Sequence, residues 1–145
     1  MNRKQLENLP LYMSIIDDLV EDVGYTWTFV SDSDAMGSTS CCHKKIYIDT
    51  RTLTRSEDEF WSVVFHELTH AICQRTGIYP ELHRQHPIMV DELHLVYIEA
   101  KIDEIAAEIM KVHFPPLKYM GTYHKLLDSL VKEVNKYNKI NEKHP

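Results

Sequence analysis

Two histidines one helical turn apart, with a glutamate beside the first, make up the segment His66-Glu67-Leu68-Thr69-His70. On a helix, residues four apart lie one above the other on the same face. Both imidazoles can then reach one ion, and zinc takes such nitrogens at roughly 2.0–2.1 Å. Glu67 is placed to accept a proton from a water that the ion activates. The chain carries nine histidines, so the spacing can also arise by chance. Its surroundings have to support the chemistry.

They supply a helix. Ser56-Glu57-Asp58-Glu59 is a capping-box pattern with acids in the first turn. The helix is predicted to run to about Thr76, with Gly77 as its terminator. At about 100° per residue, Phe60, Trp61, Val64, Phe65, Leu68, Ala71 and Ile72 cover one broad apolar face. His66, Glu67 and His70 fall on the adjoining face with Val63, Cys73 and Gln74, so they border the core. A helix gripped along one face can hold ligands rigidly on the next.

A catalytic zinc centre needs a third protein ligand and one position open to water. The candidates that follow are His83, His86, Glu92, His94, Glu99, Asp103, Glu104 and Glu108. A second helix is predicted from near Asp91 to before Pro115-Pro116. Ile98, Ile102, Ile105, Ile109 and Val112 form its apolar stripe, while Lys101, Glu104, Glu108 and Lys111 share the solvated arc. Glu99 and Asp103, one turn apart, share the next face with Leu95, Val96, Ala106 and Met110. That placement predicts two acids on an otherwise apolar surface, where a carboxylate needs a partner or a metal. Glu99 as a ligand, with Asp103 orienting His66 or His70 through the other ring nitrogen, accounts for both. Ion pairs with Arg75 or Lys45, or partial exposure near a cleft, are the alternatives.

Other elements complete the frame. Asn8 to Val23 reads as a helix ended by Gly24, and Tyr25–Val30 as a strand. Ser31-Asp32-Ser33-Asp34 is a turn, Ser38–Cys42 a second extended piece and Lys45–Asp49 a further strand. A last helix spans about Thr122 to Tyr137, and the tail from about residue 136 is expected to fray. The expectation is α+β, one domain over residues 1–145. A short, mostly antiparallel sheet packs on the histidine-bearing helix, with a second ligand-bearing helix and flanking terminal helices.

The HExxH segment followed by Glu99-Ala100-Lys101-Ile102-Asp103 resembles the gluzincin arrangement, in which the third ligand is glutamate. His66–Ala71 is similar to the active helix of thermolysin-type peptidases. The run Asp103-Glu104-Ile105-Ala106-Ala107-Glu108-Ile109-Met110, and a strand leading into the HExxH helix, resemble the ImmA/IrrE-type metallopeptidases. The resemblance covers roughly Lys44 to Met110. It implies a zincin-like domain and a zinc-dependent endopeptidase of regulatory proteins in a phage or bacterial setting. His66, His70 and Glu99 would be the zinc ligands and Glu67 the general base. The residue that stabilises the oxyanion stays open among Tyr79, His83, His86, His94 and Tyr97. Either Ser38–Cys42 or Lys45–Asp49 could be an edge strand that holds an extended substrate.

Two other readings differ in ligand set. An SprT-like protease would use His83, His86 or His94 as third ligand. A non-catalytic zinc-binding interaction module would close its site with a fourth ligand, for which Cys73 is the nearest candidate. The metzincin pattern is disfavoured, since Cys73 and Thr76 stand where it requires a glycine and a ligand. Cys41-Cys42-His43 lacks chelating spacing and reads as loop or strand. The net charge of -6 argues against nucleic acid as the partner. No apolar run could span a bilayer, and Met1–Glu7 leads into no signal region. With three cysteines that form no evident disulfide framework, a cytoplasmic protein acting on a protein or peptide substrate is expected.

Overall fold

The computed structural model describes residues 1–76 and 92–113, with Asp128, Val131 and Lys132; side chains are described for 1–75, 99–111 and those three. Helix α1 (Arg3–Glu7) is capped by Asn2, whose side chain accepts from Gln5 N while Gln5 reaches back to Asn2 N. Helix α2 (Leu9–Asp22) buries Tyr12, Ile15, Ile16, Leu19 and Val20, the three- and four-residue spacing expected of one apolar face. It stops at Gly24, whose φ of 77° a β-carbon would strain, and the Tyr25 N–H closes the end on Val20 O. A β-carbon there would also lie 2.7 Å from the Arg75 guanidinium, so glycine admits both the turn and the contact.

Three strands follow: β1 (Thr26–Val30), β2 (Gly37–Ser40) and β3 (Lys45–Asp49). Their order is β1-β3-β2, with β3 parallel to β1 and antiparallel to β2. The sheet is therefore mixed, not mostly antiparallel. After β1 the chain leaves a gap when it forms β2, and the β2–β3 hairpin then folds β3 into that gap beside β1. The same order makes β3 the central strand, which removes Lys45–Asp49 as an edge for substrate; β2 is the edge next to the histidines. Alternation puts Trp27, Phe29, Ile46 and Ile48 on the sheet face that also carries Gly37 and Thr39.

A 3-10 turn (Thr50–Thr54) links β3 to α3 (Glu57–Thr76). Asp49, fully buried, holds this corner: it accepts from Arg51 N, the Arg51 side chain and Ser33 N. These donors lower the Asp49 pKa from 3.8 to about 2. Ser56 Oγ caps α3 by accepting from Glu59 N at 3.1 Å. Every residue assigned to the apolar face of α3 is buried, and Tyr12, Phe60, Trp61 and Phe65 stack into one aromatic cluster between α2 and α3. Helix α4 (Glu92–His113) packs on α3 through Ile102, Ile105, Ala106 and Ile109. Of the expected last helix, Asp128, Val131 and Lys132 are helical, and Val131 rests on the core; its other residues lie outside the described ones. No helix among the described residues is long and apolar enough to cross a membrane.

Candidate metal centre

Helix α3 presents His66 and His70 on the flank between its buried face and solvent, with ring centroids 5.0 Å apart. Helix α4 brings two acids against them. The Glu99 carboxylate meets both rings, with Oε2 2.6 Å from His66 Nε2 and Oε1 3.1 Å from His70 Nε2. On the other side of the first ring, Asp103 Oδ1 lies 2.6 Å from His66 Nδ1. The one-turn spacing of Glu99 and Asp103 thus matches the two nitrogens of a single imidazole. All four expected residues come together, and His66 is the histidine that Asp103 orients. Arg75 instead donates to Val23 O and Lys45 sits over the Tyr47 ring, so neither pairs with Glu99.

Of the placements expected for the two acids, partial exposure near a cleft is the one observed. Glu99 and Asp103 are not buried: their side chains are 51% and 72% exposed. They stand at the mouth between α3 and α4, where one side of each carboxylate keeps water while the other accepts from an imidazole. The cost of burying a charge is thereby avoided. The buried acid of the site is Glu67, only 4% exposed, with Oε2 lacking a hydrogen-bond partner among the described residues. Burial raises its pKa above the usual carboxylate value, and charge from His70 and His66 opposes the rise. A carboxylate in such a place is a more willing proton acceptor than one in water.

Protonation follows the same geometry. Burial works against a charged His66, yet hydrogen bonding and charge from Glu99, with Glu67 and Asp103, outweigh it and raise the pKa to about 9. Glu99 is pulled well below the carboxylate range by the bonds from His66 and His70. Without a metal, both His66 nitrogens donate, one to each acid. A metal ion bound by these residues would compete with one of those protons.

His66, Glu67 and His70 have ligand-type atoms within 4.8 Å of one another, a group that could hold a metal ion. The Glu99 carboxylate lies against the Nε2 atoms of both histidines of that group. Cys73 does not belong to it. That thiol is buried in the core, which pushes its pKa up to about 12 and leaves it a packing residue. Cys41 and Cys42 are exposed in the β2–β3 turn, away from any metal group among the described residues. His83, His86 and Tyr79, and the side chains of His94 and Tyr97, lie outside the described residues.

The sequence reading missed Gly37. A β-carbon at this position would stand 2.7 Å from Val63 Cγ1 and 2.9 Å from Glu67 Cγ. Strand β2 therefore approaches Glu67 closely only because residue 37 has no side chain. Thr39 ties the same strand to the helix, donating its hydroxyl to Glu67 O at 3.2 Å. The signal was a glycine directly before the extended piece expected at Ser38–Cys42, and a glycine in a strand can mark close backbone approach. A cavity of about 250 Å³, lined by Met36, Gly37, Ser62, Val63, His66, Glu67 and Asp103, opens at this junction.

No family model, curated protein or solved structure matches the chain.

Proposed function

We propose that this chain is a zinc-dependent endopeptidase in which His66, His70 and Glu99 hold the metal and Glu67 is the general base. The observation that carries the reading is the convergence of both Nε2 atoms on the Glu99 carboxylate, with Glu67 buried and partly unpartnered beside them. Zinc bound there would supply Lewis acidity, lowering the pKa of a water and polarising the scissile carbonyl. Glu67 takes a proton from the attacking water and delivers it to the leaving amine. Asp103 holds the proton on His66 Nδ1 and so keeps Nε2 turned inward. Strand β2, the edge beside Glu67, holds an extended substrate by main-chain pairing. A substrate from regulatory proteolysis, and a cytoplasmic setting, accord with the resemblance over Lys44–Met110.

Metal analysis and hydrolysis of an unfolded protein substrate test this together. Wild type should carry one zinc per chain and cleave. Glu67→Gln should keep the metal and lose roughly 10²–10⁴-fold in rate, the usual worth of a general base. Glu99→Gln should lose metal sharply, and Asp103→Asn should weaken it by about 10–100-fold. Undiminished cleavage by Glu67→Gln would sink the catalytic reading. Zinc retained by Glu99→Gln would point to a different third ligand.

A further inference from the structure

A second cavity, of about 530 Å³, adjoins the first and shares Ser62 and Asp103 with it. It runs between the amino-terminal half of α3 and the carboxy-terminal half of α4. Ala106, Ala107 and Met110 give it an apolar wall, and Asp58, Asp103 and Lys111 supply charge. Two of those charges are committed. Asp103 accepts from His66 Nδ1, and Lys111 Nζ binds Glu108 Oε1 at 2.9 Å. The Asp58 carboxylate has no partner among the described residues. Small side chains at Ala106 and Ala107 leave room for a long, slender stem, and a free acid stands where its end would come.

From this we infer that the groove is a specificity subsite for a lysine or arginine side chain of the substrate, with Asp58 receiving the cation. The inference rests on the peptidase reading and extends it to substrate class. An aliphatic stem covers Ala106, Ala107 and Met110 while its charged head stays near water, the usual division for these side chains. The position in the substrate follows from the strand. A chain paired antiparallel with β2 runs its carboxy-terminal half toward Gly37 and Met36, which line the smaller cavity, and that cavity passes into the groove at Ser62 and Asp103. The basic residue therefore falls one or two places after the cleaved bond.

The test uses the full chain with zinc and a synthetic pool of peptides randomised at every position. Mass spectrometry then reads the residues after each Glu67-dependent cut. Lys and Arg should be enriched about fivefold over Leu, near the upper worth of a partly exposed ion pair. Asp58→Asn should erase the enrichment and Asp58→Lys should turn it toward Asp and Glu, whereas Glu104→Gln, on the solvated face, should leave it in place. Glu67-dependent cleavage with no basic preference, or a preference for Leu, Met or Phe that Asp58→Asn does not alter, overturns the subsite and leaves the peptidase reading standing. The zinc-loaded Glu67→Gln protein, incubated with the same pool, separates the opposite case. Retention of basic peptides that the wild type never cuts supports the subsite and overturns the peptidase reading. Retention without a basic bias, or no retention, overturns the subsite.

Discussion

Helix α3 has two faces with opposite physics. Toward α2 it contributes Phe60, Trp61 and Phe65 to a cluster closed around Tyr12, with no solvent exposure at any of the four. Toward β2 and α4 it contributes Val63, His66, Glu67 and His70, a mostly polar flank of which the first three line the smaller cavity. The first face gains by excluding water and can be judged by area and shape. On the second, each nitrogen and oxygen must point in one direction, and burial is limited to the single acid that gains reactivity from it. Stability is concentrated on one side of the helix so that the other side can hold charges.

If the division holds, injuries to the two faces should have different signatures. The largest effect is expected from Trp61→Ala. Removing a fully buried tryptophan should cost about 3–5 kcal/mol, lowering Tm by roughly 10 °C, with zinc affinity unchanged below the transition. Loss of metal from a still-folded variant would break the comparison. Gly37→Ala acts on the other face. Its methyl group cannot fit beside Val63 and Glu67 without a shift, and overpacking costs about 1–3 kcal/mol. Displacing the base should reduce hydrolysis by roughly ten- to a hundredfold while zinc stays bound. Equal activity in glycine and alanine forms would show that β2 does not set the position of Glu67.

The smallest effect lies off both faces, at Asp49. Because its folded pKa is depressed, its stabilisation is complete above the unfolded value near 3.8 and is lost as pH falls toward about 2. Asp49→Asn should lower Tm by several degrees at neutral pH, and the gap from wild type should close through that acid window. A gap that persists at pH 2 would mean the corner is held by packing instead of charge.

Much of this was legible in residue order. The capped start of α3, its buried face, strand β3 and the span of α4 all follow local rules of spacing and capping. The pairing of Glu99 and Asp103 with the histidines was legible too, because helical spacing alone puts both acids on one face. Strand order was not. A parallel neighbour for β3 depends on where the β1–β2 connection lands, and pleat alternation carries no information about that. Whether Glu99 and Asp103 are buried or stand at a cleft stayed open for a similar reason: a helical wheel says which residues share a face and not how far the neighbouring helix covers it. Gly37 was passed over because its role is defined by atoms it lacks and by residues 26 and 30 positions away in the chain.

The clamp on His66 has a consequence for how an ion would arrive. His66 is held at both ring nitrogens, whereas His70 is held at one among the described residues. Most of the rotational freedom of the first ring is therefore given up during folding, before any metal is present. The second ring keeps part of its freedom and settles last. In the proposed metal centre the two histidines of one motif would then divide the work of capture, one as a fixed anchor and the other as a closing arm. Nitrogen chemical shifts should report this asymmetry in the metal-free protein, with one tightly defined imidazole and one averaged over rotamers.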